Sequence, residues 1–163
     1  FRGCTGLTSI TVGNGVATIG EAAFYGCTHL TSVTVGNSVT SIGDQAFKGC
    51  TGLATITLPD SVTSIGGSAF SGCTGLATIT IPDSVTSIDS VLFMGCTGLT
   101  SITIPDSVAS IGRSACSGCK RLTSISFKGT KAQWDAIYKG SYYDFGTGSY
   151  TVHCTDGDIL VTY

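Results

Sequence analysis

Apolar and polar positions recur along the chain with a fixed step of 23 residues. Leu7, Leu30, Leu53, Leu76, Leu99 and Leu122 form one column. Ile10, Val33, Ile56, Ile79, Ile102 and Ile125 form a second, and Val12, Val35, Leu58, Ile81, Ile104 and Phe127 a third. Val16 with Ile19 open two more columns that run to Val108 with Ile111. Phe1, Phe24, Phe47, Phe70 and Phe93 make an aromatic column, with Cys116 in the next place. Cys4, Cys27, Cys50, Cys73, Cys96 and Cys119 keep the same step. Within one period, Ile10 and Val12 alternate with Ser9 and Thr11, the period-two pattern of a half-buried strand. Gly13-Asn14, Gly36-Asn37, Pro59-Asp60, Pro82-Asp83 and Pro105-Asp106 then supply turn-forming residues. Val16 to Ile19 reads as a second extended piece. Ala22, Ala23 and Phe24 predict a short helical or 3₁₀ turn that stops at Gly26.

One period alone cannot bury its apolar face, whereas stacked periods bury it against their neighbours. With parallel strands about 4.8 Å apart, six coils span about 29 Å. The expected fold is therefore an α/β solenoid with a parallel β-sheet and short helical turns. Residues 1–127 hold about five and a half coils. Phe1 lies in the middle of a period, so further coils are expected upstream of it. Residues 128–163 are expected to form a C-terminal helix–hairpin cap. Thr130 and Gln133 have the spacing of a capping box. Lys131 to Tyr138 predicts two helical turns with Trp134, Ile137 and Tyr138 on one side, stopping at Gly140. Asp156-Gly157 predicts a hairpin turn. Trp134 and the cluster Tyr142-Tyr143-Asp144-Phe145 are expected to cover the apolar end of the last coil.

The recurring elements L-x-x-I-x-V/I, P-D-S-V, S-I-G and A-F-x-G-C over residues 1–127 resemble the 23-residue leucine-rich repeats of the BspA-like (Treponema-pallidum-type) bacterial class. The resemblance implies a right-handed leucine-rich-repeat coil. It also implies a secreted or cell-surface protein, of a class often linked to adhesion to host matrix proteins or to other cells.

Composition narrows the function. Eight basic and ten acidic residues give a net charge of −2, without the clustered Lys and Arg that phosphate binding needs. Nucleic acid is not an expected partner. A hydrophobic content of 42% excludes a disordered chain. No apolar run approaches the roughly 18–20 residues of a membrane-spanning helix, so no membrane insertion is expected. The columnar cysteines suit buried free thiols, although neighbouring coils bring them close enough for a disulfide. Cys116-x-x-Cys119 with His153-Cys154 suggests zinc or a Cys116–Cys154 bridge, but Cys119 and Cys116 already occupy repeat columns. Asp60, Asp83 and Asp106 suggest calcium, but each follows a proline in a turn and can bond its own backbone. No metal or cofactor is expected. His29 and His153 lack a nucleophile and an orienting carboxylate, and the glycines follow the repeat rather than a phosphate loop. No enzymatic activity is expected.

What remains is surface. Ser9, Ser32, Thr55, Thr78 and Ser101 form one outward column that continues to Ser124, and Thr11, Thr34, Thr57, Thr80 and Thr103 form another that continues to Ser126. They belong to a chain with 25 Thr and 20 Ser. Only Thr55/Thr57 and Thr78/Thr80 give the paired threonines of an ice-binding face, too few to favour that role. Tyr25 and Lys48 lie on the turn edge, where the repeats differ from one another. These residues are the candidate binding surface of a monomeric, non-catalytic adhesion or recognition module that takes an extracellular protein or glycan. The alternative is a structural spacer that presents another domain.

Overall fold

A computed structural model describes residues 1–163. Its strands are short and alternate between two faces of a coil. In the first three coils they are β1 (Ser9–Val12), β2 (Thr18–Ile19), β3 (Ser32–Val35), β4 (Ser41–Ile42), β5 (Thr55–Thr57) and β6 (Ser64–Ile65). The chain continues through β7 (Thr78–Thr80), β8 (Ser87–Ile88), β9 (Ser101–Ile104), β10 (Ser110–Ile111) and β11 (Ser124–Phe127). It ends with the helix α1 (Lys131–Ala136), β12 (Tyr138–Lys139), β13 (Tyr150–Cys154) and β14 (Gly157–Val161).

Odd-numbered strands up to β13 stack in parallel on one face, and even-numbered strands up to β12 on another. The register follows the 23-residue step: Ser9 lies beside Ser32 and Ser32 beside Thr55. Apolar members of the repeat strands β1 to β11 turn inward. Leu53, Leu76, Leu99, Phe47, Phe70 and Phe93 are fully buried in one continuous core. The phenylalanines stack along the axis with ring centroids 5.3–6.0 Å apart. This is a solenoid of stacked coils with one continuous core.

The third face differs from the sequence expectation. It contains turns and no helix. Ala22, Gln45, Ser68, Val91 and Ser114 hold φ between 50° and 62°, the left-handed region, which a right-handed helical turn excludes. That conformation lets alternate backbone groups face outward to the next coil. Ala22 N donates to Asp44 O, Phe24 N to Ala46 O and Gly26 N to Lys48 O, each at 2.8 Å. Intervening groups close local turns, such as Tyr25 N to Ala22 O at 3.1 Å. Hydrogen bonds between coils therefore outcompete a local helix.

Beyond Phe127 the winding persists with a longer step. Ile125 pairs with Val152 and Ile111 with Lys139, both in parallel, across 27 and 28 residues. The extra residues hold α1. Thr130 Oγ1 accepts from Gln133 N and Gln133 Oε1 accepts from Thr130 N, which forms the capping box. The helix ends at Ala136, earlier than the sequence suggests, because Ile137 is already extended and Tyr138 N bonds Ala109 O on the neighbouring coil. Tyr138 is consequently exposed, while Trp134 and Ile137 are buried. Lys139 Nζ donates to Trp134 O at 2.5 Å and to Ile137 O at 3.2 Å, which closes the helix C-terminus. Strand β14 returns antiparallel beside β13. No helix is long and apolar enough to cross a membrane.

Candidate recognition surface

The odd-numbered strands hold the hydroxyl columns in register. Ser9, Ser32 and Thr55 align, as do Thr11, Thr34 and Thr57. A second block aligns Thr78, Ser101 and Ser124, with Thr80, Thr103 and Ser126 beside them. From Ser9 to Thr80 these side chains are exposed, and Ser101 and Thr103 are half-buried. The columns extend beyond the sequence reading, because Thr151 and His153 continue the two rows on β13. The longer step of the last coil conceals them from a 23-residue comparison. His153 Nδ1 lies 2.9 Å from Asp158 Oδ1 on β14, so a hydrogen-bonded His–Asp pair ends the hydroxyl face.

Strands β5 and β7 do not pair, and just before them Ala77 N reaches Ala54 O at a long 3.3 Å. β5 and β7 fall in separate sheets, and so do β6 and β8. At this boundary the face carries a shallow groove of about 440 Å³, lined by Thr55, Ile56, Thr57, Leu58, Thr78, Ile79 and Thr80. Further shallow depressions of about 440 and 260 Å³ adjoin Thr57 and Pro59. Four of the candidate hydroxyl residues thus line one depression, with the methyl groups of the same threonines beside them.

Tyr25 and Lys48 sit on the turn face, apart from the strands that carry the hydroxyls. Arg2 Cζ stands 4.6 Å from the Tyr25 ring centroid and Lys48 Nζ 5.9 Å from it, so two cations bracket one aromatic.

The buried thiols have a different role. Cys27, Cys50, Cys73, Cys96 and Cys119 donate to the carbonyls of Phe1, Phe24, Phe47, Phe70 and Phe93 at 3.1–3.2 Å. All eight cysteines are free. Burial pushes Cys50 and Cys119 up to about 12 and raises Cys73 and Cys96 as well. A thiol held protonated in this way is neither nucleophile nor metal ligand at neutral pH. Cys116 is buried and also raised, chiefly by desolvation. No group of three His, Cys, Asp or Glu side chains converges on a cation position. Asp83 pairs instead with Lys128 at 2.6 Å. His29 Nδ1 lies 2.7 Å from Thr5 O of the preceding coil, which accounts for it in the glycine slot.

A buried acidic network closes the C-terminal end. Asp144 accepts from Tyr150 Oη at 2.7 Å and from Tyr163 Oη, and Tyr143 Oη lies 3.1 Å from Tyr150 Oη. Burial is the main cause that raises all three phenols, Tyr143 to about 12. The cluster holds the chain end against the last coil.

A family model for the BspA type leucine rich repeat region matches residues 17–144 in six copies. No curated protein sequence matches the chain. Among solved structures, a leucine-rich repeat protein of T. pallidum is 29% identical over 87% of this chain and 76% of its own, with a TM-score of 0.75. One from Eubacterium ventriosum is 23% identical over 93% of this chain and 47% of its own, with a TM-score of 0.74. The second likeness concerns the fold alone.

Proposed function

Since the chain belongs to the BspA-type leucine-rich repeat family, we propose that it is a non-catalytic recognition module of an extracellular or cell-surface bacterial protein. It binds a protein or glycan partner through the hydroxyl face of its odd-numbered strands. The observation that carries this reading is the exposed hydroxyl array from Ser9 to Thr80, in register within each block, with the groove at Thr57 and Thr80 between them. Hydroxyls on parallel strands repeat at about 4.8 Å and offer both donors and acceptors without charge. Such a surface suits a repetitive polar partner that makes many weak contacts. In this reading the coil is right-handed, as parallel strand crossovers are. The α1 helix and the β13–β14 hairpin act as its C-terminal cap, and the module is a monomer.

The test is retention of the purified chain on extracellular-matrix proteins and on insoluble polysaccharides at low and high salt. Saturable retention that survives high salt is expected. Combined Thr34→Glu, Thr57→Glu and Thr80→Glu substitutions abolish it, whereas Tyr25→Ala with Lys48→Ala leaves it intact. Retention of nothing favours the spacer, which the uniformity of the same face also suits.

A further inference from the structure

Five coils share a position just after the inward isoleucine of the even-numbered strand, and it is glycine in four: Gly20, Gly43, Gly66 and Gly112. Gly140 takes that place beside Gly112 in the last coil. The requirement is steric. A Cβ at Gly43 would lie 2.6 Å from Glu21 N, at Gly66 2.5 Å from Asp44 N, at Gly112 2.5 Å from Ser90 N and at Gly140 2.6 Å from Arg113 N. With no side chain, each of these residues donates its N–H to the coil below. Gly43 reaches Ile19 O, Gly66 reaches Ile42 O, Gly112 reaches Ile88 O and Gly140 reaches Ile111 O, at 2.7–2.8 Å.

The fourth coil has Asp89 in this position. Its Cβ needs ordinary contact distance from the third coil, so the two coils must stand further apart there by a substantial fraction of an ångström. A backbone hydrogen bond does not survive that displacement from 2.8 Å with useful strength. Asp89 N accordingly makes no bond to Ile65 O. The loss spreads along the boundary. Thr40 N bonds Ala17 O, Thr63 N bonds Thr40 O and Ala109 N bonds Thr86 O, yet Thr86 N has no bond to Thr63 O. On the other sheet β5 and β7 are unpaired, and Ala77 N reaches Ala54 O at 3.3 Å, longer than the 2.9 Å of Thr31 N to Thr8 O and Thr100 N to Ala77 O.

The same coil carries Leu92 where Ala46, Ala69 and Ala115 stand in others, and Leu92 is fully buried. Phe70 and Phe93, across this boundary, are the most widely spaced of the stacked rings at 6.0 Å. The third face stays closed and grades open: Gly72 N to Met94 O is 2.8 Å, while Phe70 N to Leu92 O and Ser68 N to Ser90 O are 3.1 Å. Ser71 Oγ to Met94 O and Cys96 Sγ to Phe70 O also cross there. The boundary is a wedge, open on the even-numbered sheet, loosened on the odd-numbered one and fastened along the third.

From this geometry we infer that the boundary between residues 73 and 74 is a hinge set by Asp89 and Leu92, about which the coils of residues 1–73 and those of residues 74–163 rock as two arms. The motion opens the groove between Thr57 and Thr80 and pivots on the Gly72–Met94 side.

Amide hydrogen exchange and residual dipolar couplings on the full chain test it. Amides of Thr86 and Asp89 are expected to exchange about ten-fold or more faster than those of Thr63, Gly66, Ala109 and Gly112. The couplings of the two arms are expected to require separate alignments. Asp89→Gly with Val91→Ser and Leu92→Ala copies the third coil at these positions, and is expected to slow the exposed amides and bring both arms under one alignment. Asp89→Gly alone guards against a packing defect from the Leu92 change. Equal protection at the two sets of amides in the native chain, or a single alignment that fits both of its arms, overturns the hinge.

Discussion

Cys50, Cys73, Cys96 and Cys119 act as hydrogen-bond donors inside the stack, each to the carbonyl of a phenylalanine in the preceding coil. The 23-residue spacing made the column legible in the sequence and suggested a small buried hydrophobe. It did not disclose the sulfur-to-carbonyl bonds, because those depend on the path of the turn face. Their consequence is a pH dependence with a definite sign. The folded thiols lie well above their ordinary value of 9.0, with Cys50 and Cys119 at about 12, because burial disfavours the thiolate. Above pH 9 the unfolded chain releases protons that the folded chain retains, so unfolding becomes more favourable. Each such thiol removes about 1.4 kcal/mol of stability per pH unit until the folded value is reached. Melting temperature is expected to be level between pH 7 and 8.5 and to fall steadily from pH 9 toward 12. Cys50→Ala with Cys73→Ala is expected to flatten that fall, measured by thermal melts across the range. A slope from pH 9 to 10 that the double substitution leaves unchanged contradicts the assignment, since the raised tyrosines ionise later. Thiol titration gives a second check. In the native chain Cys4, which is exposed, is expected to react first, and all eight thiols are expected to react after denaturation.

At the scale of the element, alternation identified the strands and their inward residues, because period-two burial is imposed locally. The turn face was misread as helical because Ala22, Ala23 and Phe24 are compatible with a helix, and only the bonds to the next coil select the left-handed residue. Tyr138 was misread for a related reason. Its backbone joins Ala109 on a neighbouring strand, a tertiary pairing that helical spacing cannot foresee. The glycine column shows how tightly such pairings bind the sequence. Gly43→Ala places a methyl group against Glu21 N, and its expected cost is about 1–3 kcal/mol by overpacking. It is also expected to speed exchange of the Thr40 and Gly43 amides, reproducing between the first two coils the opening that Asp89 makes further on. In α1, Thr130→Ala removes the acceptor for Gln133 N and is expected to cost about 1 kcal/mol in a denaturant titration. Its effect should be confined to the C-terminal coil, since each coil contacts only its neighbours.

Across the whole molecule, the repeat predicted one continuous sheet of hydroxyls, and the structure divides it into two blocks. Asp89 stands in the sequence where Gly20, Gly43, Gly66 and Gly112 stand in other coils. Its effect lies in the backbone of the coil beneath it, which no comparison of outward residues exposes. Thr151 and His153 were hidden by the longer last step. With them, seven parallel strands give a face about 29 Å long at about 4.8 Å per step. If many weak contacts to a repetitive partner supply the binding, affinity must grow with the partner's length until the face is covered, because each added contact is intramolecular. A series of oligosaccharides cut from a polysaccharide that retains the chain is therefore expected to bind more tightly as length increases. The gain should cease near 29 Å. Thr57→Glu, beside the division, is expected to weaken long oligomers more than short ones, since short ones can still occupy the far block from Thr103 to His153. Affinity independent of length, measured by calorimetry, contradicts recognition by the array and points instead to a single compact site.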